Sequence, residues 1–357
     1  MACVGIIANP ASGRDVRRLV AGASVVDNAE KGAMIYRLMV GLGAVGTRRV
    51  LVMPAGSGVL QSLHRTLRGR ARSASPLPDL ELLDMRLAGT GDDTCRAVAL
   101  IAGRRADAIL VLGGDGTHRL VARHCGDVPI CGLSTGTNNA FPTLHEATVA
   151  GLATGLVATG RVTRAPALRR HKILRVALND DGERDCALVD AALTTERFVG
   201  ARALWRPTAL REVVVAFGEP GTGGLAALAG LLEPAGRTEE HGAYLRLEDP
   251  SRAPRVVRVP IAPGLVTSVG VAEHRRIEPA EPVALEPQAG SLALDGEREI
   301  ELTPDDRVVV TLATDGPQTI DVGSVMREAA QRGLLTSDRS PARLGHRPTD
   351  AGIRSGR

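Results

Sequence analysis

The chain has 357 residues, enough for two units that each bury a core. Its formal charge is +4, of which +3 comes from the arginine-rich stretch Ser337–Arg357, and it has three Phe, two Tyr and one Trp. A near-neutral body with so few stacking rings argues against nucleic-acid binding. No apolar run reaches the length of a membrane span, and the N-terminus, Met1-Ala2-Cys3-Val4, lacks the basic start of a secretory signal. The five cysteines are odd in number and mostly set in apolar runs, so the expectation is a reduced, cytoplasmic protein. Only Lys31 and Lys172 are lysines, so individual arginines carry little information.

Strand-like runs at Val4–Ala8, Arg49–Met53, Leu80–Leu83, Ala108–Leu112 and Pro129–Leu133 alternate with helical patterns near 28–45, 56–69, 91–103 and 116–124. That alternation predicts an α/β unit with an open parallel sheet over residues 1–143. Arg70–Pro78 reads as a surface loop. A further helix at Leu144–Thr159 leads into a region of short apolar runs parted by Gly, Pro and Asp. These predict a mostly antiparallel β-rich unit across 144–321. Residues 322–336 read as a helix returning to the first unit, and 337–357 as a disordered tail.

Three turns follow predicted strand ends. The most specific is Gly113-Gly114-Asp115-Gly116-Thr117, between an apolar strand and a helix. Glycines there let backbone N–H groups converge on an anion such as a phosphate. Asp115 would repel that ligand unless it had a chemical task, and the task suggested is to accept the proton of a hydroxyl attacking a phosphoryl group. Asn9-Pro10-Ala11-Ser12-Gly13 offers Asn9, Ser12 and Gly13 as further nucleotide contacts, with a plain Asn-Pro turn as the alternative. Ser134 through Phe141 forms a polar wall containing Thr137, Asn138 and Asn139. Three turns at the same end of successive strands are where an open α/β sheet places its ligand.

Other patterns are weaker. Gly41 through Gly46 spells a dinucleotide fingerprint but follows a helix instead of a strand, and Gly221 through Ala226 is better placed. Ser134 fits a nucleophile elbow, but the chain then turns to β structure. His118, His124, Cys125 and Cys131 match no common zinc spacing, and no protein metal site is expected.

Together these motifs resemble the superfamily of NAD kinases and diacylglycerol and sphingosine lipid kinases. The Gly-Gly-Asp-Gly-Thr turn and the Asn-Pro-Ala-Ser-Gly start are similar to that superfamily's. Gly136 through Phe141 resembles the lipid-kinase Gly-Thr-Gly-Asn-Asp-Phe, with Asn139 matching the Asn and Ala140 replacing the Asp. Leu294-Asp295-Gly296-Glu297 resembles an Asp-Gly-Glu turn of the β unit. Stretches Gly5–Asp15, Arg48–Pro54, Cys186–Trp205 and Gly290–Glu299 are similar to the acetoin catabolism protein X branch.

The resemblance implies ATP with Mg²⁺ carried on the nucleotide, phosphoryl transfer to a hydroxyl, and NAD as first-choice acceptor. Gly113, Gly114, Gly116, Thr117, Asn9, Ser12, Gly13, Thr137 and Asn139 would hold nucleotide, Asn138 and Asp190 the acceptor, and Asp115 would be catalytic. The Asn-Glu pair that contacts adenine in NAD kinases corresponds either to Asn179-Asp180 or, preferably, to Asp190, since Asp180-Asp181-Gly182 reads as a hairpin turn. The acceptor-binding Thr-Pro-Thr-Gly-Ser-Thr-Ala-Tyr segment has no counterpart. A lipid or other small-molecule kinase, and a non-catalytic nucleotide-binding regulator linked to acetoin catabolism, therefore stay open. The expected partners are nucleotide and NAD-like small molecules, with no nucleic acid or membrane, and a homo-oligomer is expected.

Overall fold

A computed structural model describes residues 1–13, 26–56, 58–69, 76–179, 182–197, 203–204 and 206–336. The expected tail at 337–357, part of the Arg70–Pro78 loop, and Asp180 and Asp181 lie outside the described residues.

The first unit is built on β1 (Cys3–Ala8), α1 (Asn28–Ala44), β2 (Arg49–Val52), α2 (Val59–Arg68), β3 (Asp79–Leu82), α3 (Gly91–Gly103), β4 (Ala108–Gly113), α4 (Asp115–His124) and β5 (Ile130–Ser134). The five strands are parallel in the order β3-β2-β1-β4-β5. Alternate residues of each strand face opposite sides. Val4, Ile6, Ala8, Leu110 and Leu112 pack against α1, α2 and α5 (Ala147–Ala158). Cys3, Ile7, Ile109 and Val111 pack against α3 and α4, in a core that continues into the β-rich unit. Strand order reverses between β1 and β4, and the Asn9 and Asp115 turns leave those two strands.

Among the described residues, the antiparallel part comprises two sheets. Four strands run in the order Pro282–Leu285, Val308–Ala313, Ile173–Leu178, Glu183–Ala187. Seven run in the order Arg255–Ala262, Leu265–Ile277, Gly242–Glu248, Leu210–Val215, Asp190–Thr194, Gly290–Leu294, Glu297–Leu302. The class is therefore α/β with an open, mostly parallel sheet followed by antiparallel β structure.

The chain does not leave the first unit at residue 144. Helix α5 packs on α1, with the Gly151 backbone against Leu38. The short strands Leu168–Arg170 and Gln318–Ile320 extend the first sheet beyond β5. The last helix, Val322–Gln331, buries Val322, Val325 and Ala329 in the same core as α1 and α5. Alanine and glycine along α5 allow this close approach, while three-residue strands are too short to leave a periodic signal. No helix among the described residues is long and apolar enough to cross a membrane.

Candidate functional site

A cleft of about 500 Å³ opens at the carboxyl ends of β1 and β4, where the sheet's strand order reverses. Open α/β sheets place ligands at that point. Asn9, Ser12, Gly13, Gly114, Asp115, Gly116, Thr117, Thr137, Asn138 and Asn139 all line it. Asp190 lies in a smaller adjoining pocket whose wall also includes Asp115 and Asp295. Gly113, expected among the phosphate donors, is instead the last residue of β4 and does not line the cleft. Its missing side chain makes room for Thr117, since a Cβ there would come within 2.4 Å of the Thr117 Cβ.

Helix α4 begins at Asp115, so Gly114 and Gly116 flank a helix N-terminus whose first N–H groups lack intrahelical partners. Both Asp115 oxygens accept backbone hydrogen bonds: Oδ2 from the Ala140 N–H and Oδ1 from the Phe141 N–H, each at 2.9 Å. Asp115 is buried but reaches the cleft wall. Each oxygen keeps lone-pair capacity beyond one N–H.

Several residues expected to touch nucleotide also tie the turns together. Asn9 Nδ2 donates to Thr117 Oγ1 at 2.9 Å, and Asn9 Oδ1 accepts from Ala11 N. The Ser12 and Thr135 hydroxyls are 3.1 Å apart. Asn139 Nδ2 donates to Ser134 Oγ at 2.7 Å, which accounts for Ser134 without a nucleophilic role. Asn138 Nδ2 donates across to the Ile261 carbonyl of the β-rich unit at 3.3 Å. Gly114 and Gly136 lie face to face, and a Cβ on Gly136 would stand 2.8 Å from the Gly114 Cα.

Four contributors were not singled out from sequence. Buried Lys31 donates to the Asn9 and Ser12 carbonyls at 3.0 and 2.8 Å, fixing the first turn. Its being one of only two lysines in an arginine-rich chain was the available signal. Arg119, one turn into α4, pairs with Asp185 at 3.0 Å and Glu299 at 2.8 Å, and lies 4.0 Å from Asp295. Glu297, quoted only within a turn motif, lines the cleft with an oxygen 3.4 Å from where a Gly116 Cβ would sit. Arg237 donates to the carbonyls of Ala140 and Phe141, the residues whose N–H groups Asp115 holds.

Asp295 and Gly296 occupy positive φ, 51° and 75°, in a two-residue hairpin turn between Gly290–Leu294 and Glu297–Leu302. The Asp295 carboxylate accepts from the N–H groups of Leu188, Val189 and Asp190. Burial pushes its pKa well above the usual carboxylate range, reinforced by Asp190 and Asp115 and opposed by Arg119. His118 is fully buried, donates from Nδ1 to the Gly114 carbonyl at 2.8 Å, and is driven down to about 4 by burial. It supports the glycine turn from beneath.

Two family models match successive parts of the chain. The ATP-NAD kinase N-terminal domain family matches residues 4–162, and the acetoin catabolism protein X C-terminal domain family matches residues 172–315. Acetoin catabolism protein X of Cupriavidus necator is 46% identical over 345 residues, covering 96% of each chain. A solved candidate diacylglycerol kinase of Bacillus anthracis superposes at a TM-score of 0.45 with 12% identity, covering 89% of this chain and 97% of its own. The chain belongs to the acetoin catabolism protein X family and carries an N-terminal unit of the ATP-NAD kinase type.

Proposed function

We propose that the chain is a phosphotransferase that moves the terminal phosphoryl group of a nucleoside triphosphate onto an alcohol, with NAD as the first acceptor to assay. One observation carries this reading: Asp115 stands on the wall of the strand-reversal cleft, at the start of a helix whose glycines leave backbone donors bare. Gly114, Gly116 and Thr117 would receive phosphate oxygens. Ser12, Gly13 and Thr137 line the same cleft. Asp190, in the adjoining pocket, would orient the acceptor. The acceptor oxygen attacks the γ-phosphorus and its proton passes to Asp115. The bond to the bridging oxygen breaks, and the nucleoside diphosphate leaves.

The cleft wall is acidic, with Asp93, Asp115, Asp295, Glu297 and Glu299 against Arg119, which its acidic neighbours already occupy. Mg²⁺ arriving on the triphosphate would supply the positive charge that these described residues lack.

A second assignment of the proton acceptor has its own support. Both Asp115 oxygens already accept N–H bonds, whereas Glu297 stands beside Gly116 on the same wall. Incubation with Mg-ATP and NAD, followed by analysis for NADP, tests the reaction. The same assay on Asp115→Asn and Glu297→Gln assigns the acceptor of the proton. Mg-ATP binding with no transfer to NAD or to a lipid alcohol would favour a nucleotide-sensing regulator.

A further inference from the structure

The Ala140–Phe141 segment is gripped from both sides. Asp115 takes its two N–H groups, and Arg237 donates to its two carbonyls, to Phe141 at 3.0 Å. Arg237 is itself seated over the Phe217 ring, 4.4 Å from its centroid, and its Nε donates to Glu219 at 3.2 Å. The loop carrying it is held by Lys172, whose Nζ donates to the Gly236 and His241 carbonyls at 2.9 and 2.5 Å.

A separate cavity of about 200 Å³ is bounded by this same segment, with Phe141 and Arg237 in its wall but neither Asp115 nor Gly114. Its polar lining includes two guanidinium groups, Arg169 and Arg237, and the hydroxyls of Thr143 and Thr319. Asp321 is the one carboxylate among the described lining residues. Its oxygens are engaged by Arg169 and by the N–H of Ser324 at the start of the last helix. Buried His171 packs edge-on against Phe141, with centroids 5.0 Å apart. Burial, with Arg237, Arg169 and Lys172 around it, lowers this imidazole to about 4. The ring is neutral near pH 7 and sits in a positive field.

We propose that this cavity binds a small oxyanion, a phosphate or carboxylate group, and that Arg237 relays its occupancy to Asp115 through the Ala140–Phe141 segment. A guanidinium has five N–H donors in a planar fork suited to such groups. Three of those on Arg237 serve Ala140, Phe141 and Glu219, so an oxyanion finds two more and competes for the rest. An oxyanion offers the guanidinium a full opposite charge where a carbonyl offers only a dipole, so binding draws Arg237 away from Ala140 and Phe141. The segment then loosens on its Asp115 side. The importance of that loosening for turnover rests on the phosphotransferase reading, whereas the site and the loosening do not.

The experiment uses the full chain with inorganic phosphate and acetate as probes, at constant ionic strength against chloride. Calorimetry measures binding to wild type, Arg169→Gln and Arg169→Glu, and hydrogen exchange follows the amides of Ala140 and Phe141. Arg169 is half exposed, and denaturation curves check that its variants remain folded. At least one probe binds wild type, weakens tenfold or more in Arg169→Gln and is lost in Arg169→Glu, while wild-type binding speeds exchange at both amides severalfold. Phosphate alone binding assigns a phosphate-bearing ligand, and acetate binding assigns a carboxylate. Binding that ignores Arg169, as phosphate on the glycine turn would, overturns the site, as does no binding by either probe. Binding with unchanged exchange overturns the relay. Neither readout needs catalytic turnover, so a chain that transfers no phosphate leaves this test intact.

Discussion

Asp115 and Asp295 use the same device in two different sheets. Each sits in a tight turn, and each carboxylate grips backbone N–H groups of a distant segment: Ala140 and Phe141 in one case, Leu188 through Asp190 in the other. Their surroundings differ. Asp295 has its side chain fully out of solvent, in contact with Arg119 and crowded by Asp190. Both line the large cleft, but Asp115 opens helix α4, whose first N–H groups lack intrahelical partners, whereas Asp295 closes a hairpin. The comparison teaches that a carboxylate in a glycine turn can serve as a backbone clamp, and that lining a cleft does not set two such clamps apart: the helix N-terminus at Asp115 is the anion-binding feature that the Asp295 hairpin lacks.

The comparison breaks most sharply through stability. Asp295→Ala strands three buried N–H groups and removes a partner of Arg119, so it should destabilise the fold by about 3–5 kcal/mol in chemical denaturation. A loss no larger than for an ordinary surface change would deny Asp295 its clamping role. Next comes the support beneath the glycine turn. Unfolded imidazole takes up its proton near 6.5, but folded His118 waits until about 4. The unfolded state therefore binds more protons between those values, and stability falls as pH drops from about 6.5 to about 4. That one group contributes roughly 3 kcal/mol across the window. His118→Gln should flatten the slope of unfolding free energy against pH, and an identical slope in the variant would remove His118 as its source.

Asp115→Asn should cost about 1–3 kcal/mol, less than Asp295→Ala, because one acceptor oxygen is kept. A loss equal to that of Asp295→Ala would make Asp115 a clamp and little else. Smallest is Asn9→Ala, which removes the link to Thr117 and should cost about 1 kcal/mol while raising the Mg-ATP dissociation constant severalfold. Unaltered nucleotide affinity in that variant would separate the first turn from the phosphate site.

Much of this was legible in the sequence because apolar strands and glycine turns leave local signals. Ala108–Gly113 is buried at every position, so it reads as a continuous apolar run. Glycines at 114 and 136 are demanded by close approach, so the turns stand out by composition. Partnerships were not legible. The residues that Asp115 grips lie 25 and 26 positions away, and nothing in Ala140 or Phe141 announces that their N–H groups are wanted. Arg119 and Arg237 are single arginines in a chain rich in them, and only folding reveals what each holds. The three-residue strands at Leu168–Arg170 and Gln318–Ile320 are fixed by tertiary pairing and have no periodicity of their own.

The most direct test is phosphoryl transfer from Mg-ATP to NAD and to a lipid alcohol, measured side by side for wild type, Asp115→Asn and Glu297→Gln. Wild type should phosphorylate one acceptor, and Asp115→Asn should lose about 100- to 10,000-fold of that turnover while keeping Mg-ATP affinity within a few fold. Turnover that survives intact in Asp115→Asn, or that falls only in Glu297→Gln, would contradict the role given to Asp115.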